Sequence, residues 1–157
     1  MRNDVSSAGR GILLVEDNPD DVALTLRALK KAGVLNQVRI ADDGAAAIDV
    51  LFGREAAGRP EPGLILLDLN LPKVSGIEVL RRIRGDERTR YVPVVILTSS
   101  AEQEDIMAGY HFGANAYVRK PVRFSEFADA VSTLGMFWLL LNQPAPAGAP
   151  AVRGAGQ

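Results

Sequence analysis

Four strand-like runs in the chain end in a side chain capable of chemistry. Glu16 and Asp17 follow GILLV, Asp68 follows LILL, Thr98 follows VVIL, and Lys120 lies just past AYV. Helix-patterned stretches separate these runs, so the strands should lie parallel and bring all of these groups to one edge of a sheet. Three carboxylates, a hydroxyl and an ammonium at one edge suit a divalent cation held beside an aspartate that can accept a phosphoryl group. Crowded carboxylates repel. Without a cation at least one of them should hold its proton more tightly, and Mg²⁺ would relieve the repulsion and keep Asp68 ionised as the nucleophile.

The elements that must position these groups are legible in turn. GILLV is a short apolar run with both faces buried, the pattern of a central parallel strand. In NPDD, Asn18 is a good N-cap, Pro19 suits the first helical position, and Asp20 and Asp21 complement the helix dipole, so a helix is expected from there to Gly33 with Val22, Leu26 and Leu29 on one face. QVRIA is a more polar strand, expected near an edge, and DDGAAAIDVLF an Ala-rich helix. Residues 53–63, rich in glycine and proline, read as a surface loop. LILLD is a third strand; Ser75 and Glu78 form a capping box for a helix ending about Gly85. VPVVILT is a fourth strand, Ser99 with Glu102 a second helix start of the same kind, AYV a short fifth strand, and a last helix is expected from about Phe124 to Leu141. Five strands alternating with five helices imply an α/β, flavodoxin-like doubly wound parallel sheet of order 2-1-3-4-5 in three layers, with a crevice at the carboxyl ends of strands one and three.

A chain of 157 residues that is 47% hydrophobic can bury one core. We expect an N-terminal segment over 1–10, one domain over 11–141 and a Pro/Ala/Gly-rich tail over 142–157. Eighteen basic against nineteen acidic residues give a net charge of -1, and no Lys/Arg-rich block marks a nucleic-acid footprint. There is no cysteine, which removes disulfides and thiolate metal sites. The polar N-terminus is not a signal peptide, so a cytoplasmic protein is expected.

The motifs VEDNPDD, LLDLNLPKVSG, VVILTSS and YVRKP, in that order, with 30 residues from Asp68 to Thr98 and 22 from Thr98 to Lys120, resemble the receiver domains of two-component response regulators. The resemblance runs from about Gly11 to Leu141. It implies that Asp68 is the phosphoacceptor, that Glu16 and Asp17 are the acidic pair for Mg²⁺, and that the backbone carbonyl of Asn70 is a further ligand. It also implies that Thr98 is the switch hydroxyl, Tyr117 the switch aromatic, Lys120 the lysine that meets the phosphoryl group, and Lys120-Pro121 a cis peptide. Asn70 and Ser100 occupy positions that tune the lifetime of the acylphosphate in that family. The long loop before strand three and the C-terminal FWLLLN are similar to the single-domain regulators that partner bacterial phytochrome kinases, which makes a histidine kinase, and among these a phytochrome, the expected partner.

Taken singly, each residue has a plain structural alternative. Asp68 could cap a strand, Thr98 a helix, Lys120 could be a solvated charge, and Tyr117 core packing; it is their convergence that favours function. His111, the only histidine, reads as a helix-terminal surface residue. LGMFWLLL is apolar around most of its circumference, and eight residues cannot span a bilayer. Phe137, Trp138, Leu140 and Leu141 are therefore expected to form a homodimer surface with help from the fourth helix, a kinase-docking surface being the alternative. Two rivals to a signalling switch are a small-molecule phosphatase or nucleotide-using enzyme of the same architecture, and a phosphate sink within a relay. The first is disfavoured because no Walker or G-x-G-x-x-G loop is present and DLN lacks a second aspartate two residues after Asp68.

Overall fold

The computed structural model describes residues 10–56, 58–98, 103–119 and 129. Five strands form a parallel sheet in the order β2-β1-β3-β4-β5, as the alternation of elements predicts. The strands are β1 (Ile12–Val15), β2 (Val38–Ala41), β3 (Leu64–Leu67), β4 (Val94–Thr98) and β5 (Ala116–Arg119). The helices are α1 (Pro19–Lys31), α2 (Gly44–Phe52), α3 (Gly76–Gly85) and α4 (Gln103–His111). Apart from residues 10 and 129, the expected fifth helix with its apolar face and both terminal segments lie outside the described residues, as do the Ser99–Glu102 cap and Lys120-Pro121.

Strand alternation explains the two cores. Leu13, Val15, Ile65, Leu67, Val94 and Ile96 face one side with Ala47, Leu51, Val79, Leu80 and Ile83 of α2 and α3. Ile12, Leu14, Leu64, Leu66, Val95 and Leu97 face the other with Ala28 and Leu29 of α1. Since both faces are covered, β1 and β3 are apolar at every position and buried at every position, the signature of central parallel strands. β2 lies at the sheet's edge, and its Arg39 and Ile40 are exposed, which accounts for its polar sequence.

The helix starts follow capping chemistry. The Asn18 side chain accepts from the backbone N–H groups of Asp20 (2.9 Å) and Asp21 (3.3 Å), satisfying two donors that no helical carbonyl can reach. Helix α1 ends at Lys31 and not at Gly33, because Gly33 turns into the left-handed region at φ 79, a conformation that ends helices. Its buried stripe is Thr25, Ala28 and Leu29, with Val22 and Leu26 half-buried. Ser75 Oγ accepts from Glu78 N at 3.3 Å and starts α3. In the loop over 53–63, Arg54–Ala56 form one turn of 3-10 helix.

Asp43 caps α2, accepting from the Ala46 N–H at 2.6 Å, and pairs with Lys73 Nζ at 3.2 Å. Lys73 stands at φ 68, a left-handed backbone that a lysine rarely adopts. The pair ties the loop after β3 to the start of α2. The Ala46 N–H first, and then Lys73, hold the Asp43 carboxyl below its ordinary value of 3.8. A depressed folded-state pKa stabilises above the ordinary value, and that contribution is lost as pH falls through the depressed one. Melting curves of the wild type and Asp43→Asn should therefore show a wild-type advantage at neutral pH that shrinks with acidification below about pH 4; a gap that is constant with pH would contradict this.

Candidate acidic site

The register of the sheet assembles the site. Val15 pairs with Leu67, so the residues that follow, Glu16 and Asp68, leave neighbouring strands side by side, and the Asp68 N–H reaches back to the Val15 carbonyl at 3.0 Å. Glu16, Asp17 and Asp68 each present a carboxylate oxygen within 4.8 Å of the other two. Glu16 and Asp68 are 3% and 6% exposed, while Asp17 is exposed and marks the side open to solvent. Two oxygens bound to one Mg²⁺ at about 2.1 Å lie roughly 3.0 to 4.2 Å apart in an octahedral shell. Three hard oxygen donors at this spacing fit such a cation, with positions left for water, a backbone carbonyl and a substrate oxygen.

Backbone amides orient the buried acids. Asp68 Oδ1 accepts from the Asn70 N–H at 2.9 Å, a bond that turns the following backbone around the acceptor. Glu16 Oε2 accepts from the Asn18 N–H at 3.3 Å, so the acidic pair and the cap of α1 share one turn. Helix α3 closes against this loop: Gly76 N–H donates to the Leu69 carbonyl at 3.1 Å. A Cβ on Gly76 would lie 2.3 Å from the Asp68 carbonyl oxygen and 2.6 Å from Leu69 Cα. Gly76→Ala is thus expected to push α3 or the loop after β3 aside, lowering stability by about 1–3 kcal/mol. Unchanged melting would refute this close fit.

Thr98 ends β4, level with Arg119 of β5, so its backbone stands at the same sheet edge as the acids, two strands from β1. Tyr117 pairs with Ile96, two residues earlier, and is partly buried against the core on the α2–α3 side. His111 is exposed at the end of α4, its ring edge-on to Phe112 at 4.9 Å. Lys120, Pro121, Phe137, Trp138, Leu140 and Leu141 are outside the described residues.

Sequence reading misses a second polar centre. Arg84 of α3 sends Nε to the Gly113 carbonyl (2.9 Å), Nη1 to the carbonyls of Arg90 (3.0 Å) and Val92 (2.7 Å), and Nη2 to Asn115 Oδ1 (2.8 Å). Asn115 Oδ1 also accepts from Val94 N–H at 2.8 Å. Burial lowers the guanidinium's pKa from its ordinary value. One side chain therefore locks the entry to β5 onto the connection between α3 and β4.

Comparison with known proteins agrees with this architecture. The model of the response regulator receiver domain matches residues 12–132. Probable methanogenesis regulatory protein FilR2 of Methanothrix harundinacea (strain 6Ac) is 42% identical over 137 residues, covering 87% of this chain and 88% of its own. Response regulator Rcp1 of Synechocystis (strain ATCC 27184 / PCC 6803 / Kazusa) is 38% identical over 138 residues, 87% of this chain and 94% of its own. The crystal structure of its Mn²⁺-bound form superposes with a TM-score of 0.79 at 38% identity, covering 87% of this chain and 99% of that one. The crystal structure of the phosphorylated cyanobacterial phytochrome response regulator RcpA gives a TM-score of 0.82 at 37% identity, covering 88% and 99%. With motifs, sheet order and family match in accord over most of its length, the chain belongs to the response regulator receiver domain family.

Proposed function

We propose that this protein is a stand-alone response regulator that takes a phosphoryl group from a kinase phosphohistidine onto Asp68 and passes the change to a protein-binding surface. The observation that carries the reading is the trio Glu16, Asp17 and Asp68, with carboxylate oxygens within 4.8 Å of one another at the carboxyl ends of β1 and β3. An Asp68 carboxylate oxygen attacks phosphorus, the phosphorus–nitrogen bond of the donor breaks, and the imidazole leaves with the electron pair and takes up a proton. Mg²⁺, held by the three carboxylates and the Asn70 carbonyl, would neutralise charge on the transferring group. The Asn70 N–H on Asp68 Oδ1 fixes the direction of attack, and burial of Glu16 and Asp68 limits competing water. Lys120 completes the neutralisation from the end of β5. The product is a mixed anhydride and reverts by hydrolysis.

Detection falls to Thr98, whose hydroxyl moves to a phosphoryl oxygen and releases space for Tyr117. The partners are a histidine kinase, of the phytochrome class by likeness to Rcp1 and RcpA, and a second copy of the chain through Phe137, Trp138, Leu140 and Leu141. Among the described residues no helix is long and apolar enough to cross a membrane. Incubation with Mg²⁺ and acetyl phosphate should yield a hydroxylamine-labile phosphate; a protein that stays unlabelled under saturating donor contradicts the proposal, and continuous release of product from a small phosphoester would favour the enzyme alternative. Thr98→Ala should still be labelled yet lose at least about tenfold of the phosphorylation-dependent gain in partner affinity; an unchanged gain would disprove the coupling.

A further inference from the structure

At the end of the sheet opposite the carboxylates lies a cavity of about 380 Å³, a volume in the range of small-molecule sites. Leu13, near the start of β1, and Val50 and Leu51 on α2 give it an apolar wall, and Pro60 and Pro62 close it from the loop before β3. Its charged lining is Arg39, Arg59, Arg88 and Glu61, with Arg88 also beside Asp86. We propose that this cavity binds a small organic anion, its carboxylate, sulfonate or phosphate on the arginines and an apolar or aromatic body between β1, α2 and the prolines.

Two features support a site over a chance hollow. The loop wall is turned at one end and tied to the chain before β1 at the other: the Ala56 carbonyl accepts from Arg59 N–H at 3.1 Å within the loop, and Gly63 N–H donates to the Gly11 carbonyl at 2.8 Å. The two prolines fix φ between those anchors, so little ordering entropy remains to oppose binding. The cation at the rim is also placed: Arg88 sits over the Phe52 ring at 5.8 Å from its centroid, with Nε 3.4 Å from Asp86 Oδ1. Guanidinium groups read carboxylate and phosphate with paired N–H donors, and Arg39, on the edge strand β2, is exposed. From Ile12 to Glu16 the chain advances four residues, roughly 13 Å, so this site is separate from phosphoryl chemistry and does not depend on the reading above.

The test uses 2-naphthoate as probe with the full chain, measured by calorimetry and by ¹⁵N amide shifts. One saturable site is expected, with shifts centred on the amides of Ile12, Arg39, Leu51 and Gly63. Arg39→Ala with Arg88→Ala should weaken binding about tenfold or more, as should the uncharged probe 2-naphthalenemethanol with the wild type, while Arg81→Ala should change nothing. Circular dichroism melts check that the double variant folds, and Arg39→Glu alone, at an exposed position, gives a second route to the same loss. Absence of saturation at millimolar probe, shifts centred elsewhere, equal affinity for the alcohol, or indifference to both arginine variants would overturn the proposal.

Discussion

Asp17→Asn is expected to slow phosphorylation of Asp68 about a hundred-fold or more while making the metal-free protein more stable. The two effects have one cause. Three carboxylates within 4.8 Å repel one another without a cation, and on the proposed function the same charges hold Mg²⁺ against a dianionic phosphoryl group. Removing the exposed member relieves repulsion worth about 1 kcal/mol at the dielectric of the water that reaches it, which should raise the melting temperature by about 2–4 °C for a chain of this size. Mg²⁺ should then stabilise the wild type, by mass action, more than it stabilises the variant. A variant that loses stability and keeps its labelling rate would show that Asp17 serves the fold and not the site.

Arg84→Met should be the most damaging single change outside the site. Its guanidinium satisfies the carbonyls of Arg90, Val92 and Gly113 and the Asn115 side chain, and methionine keeps the apolar stem while deleting every donor. Unmade bonds to partly buried acceptors, less what entering water restores, amount to about 3–5 kcal/mol, a drop in melting temperature on the order of 10 °C. Arg84→Lys should recover little, because one ammonium cannot span three carbonyls set by a planar fork. On the proposed function the damage should reach signalling as well, since Asn115 immediately precedes β5, the strand that carries Tyr117. A melting temperature within about 2 °C of wild type would mean that the latch is dispensable.

What the sequence discloses here and what it conceals have physical reasons. ILLV and LILL are readable because a strand buried on both faces has no polar positions, and Asn18 and Ser75 because a cap needs a side-chain oxygen just ahead of a helix. The acids at 16, 17 and 68 are readable because parallel strands deliver their carboxyl ends to one edge. Arg84 is not: in RRIRG it is one of several helix cations, and only the approach of a loop some thirty residues on distinguishes it from Arg81 and Arg82. The Asp43–Lys73 pair is hidden in the same way, by partners that only the fold brings together. The basic cavity is hidden because Arg39, Arg59 and Arg88 come from a strand, a loop and a turn, with no local pattern linking them.

On the proposed function, Asp68 is the acceptor within an acidic, cation-holding pocket. After treatment with Mg²⁺ and acetyl phosphate, borohydride reduction followed by tandem mass spectrometry of the peptide containing residues 64–73 locates the modified residue directly. The expected result is homoserine in place of aspartate at position 68, absent when Mg²⁺ is chelated. Homoserine elsewhere, or its formation at position 68 without a divalent cation, would contradict the central claim.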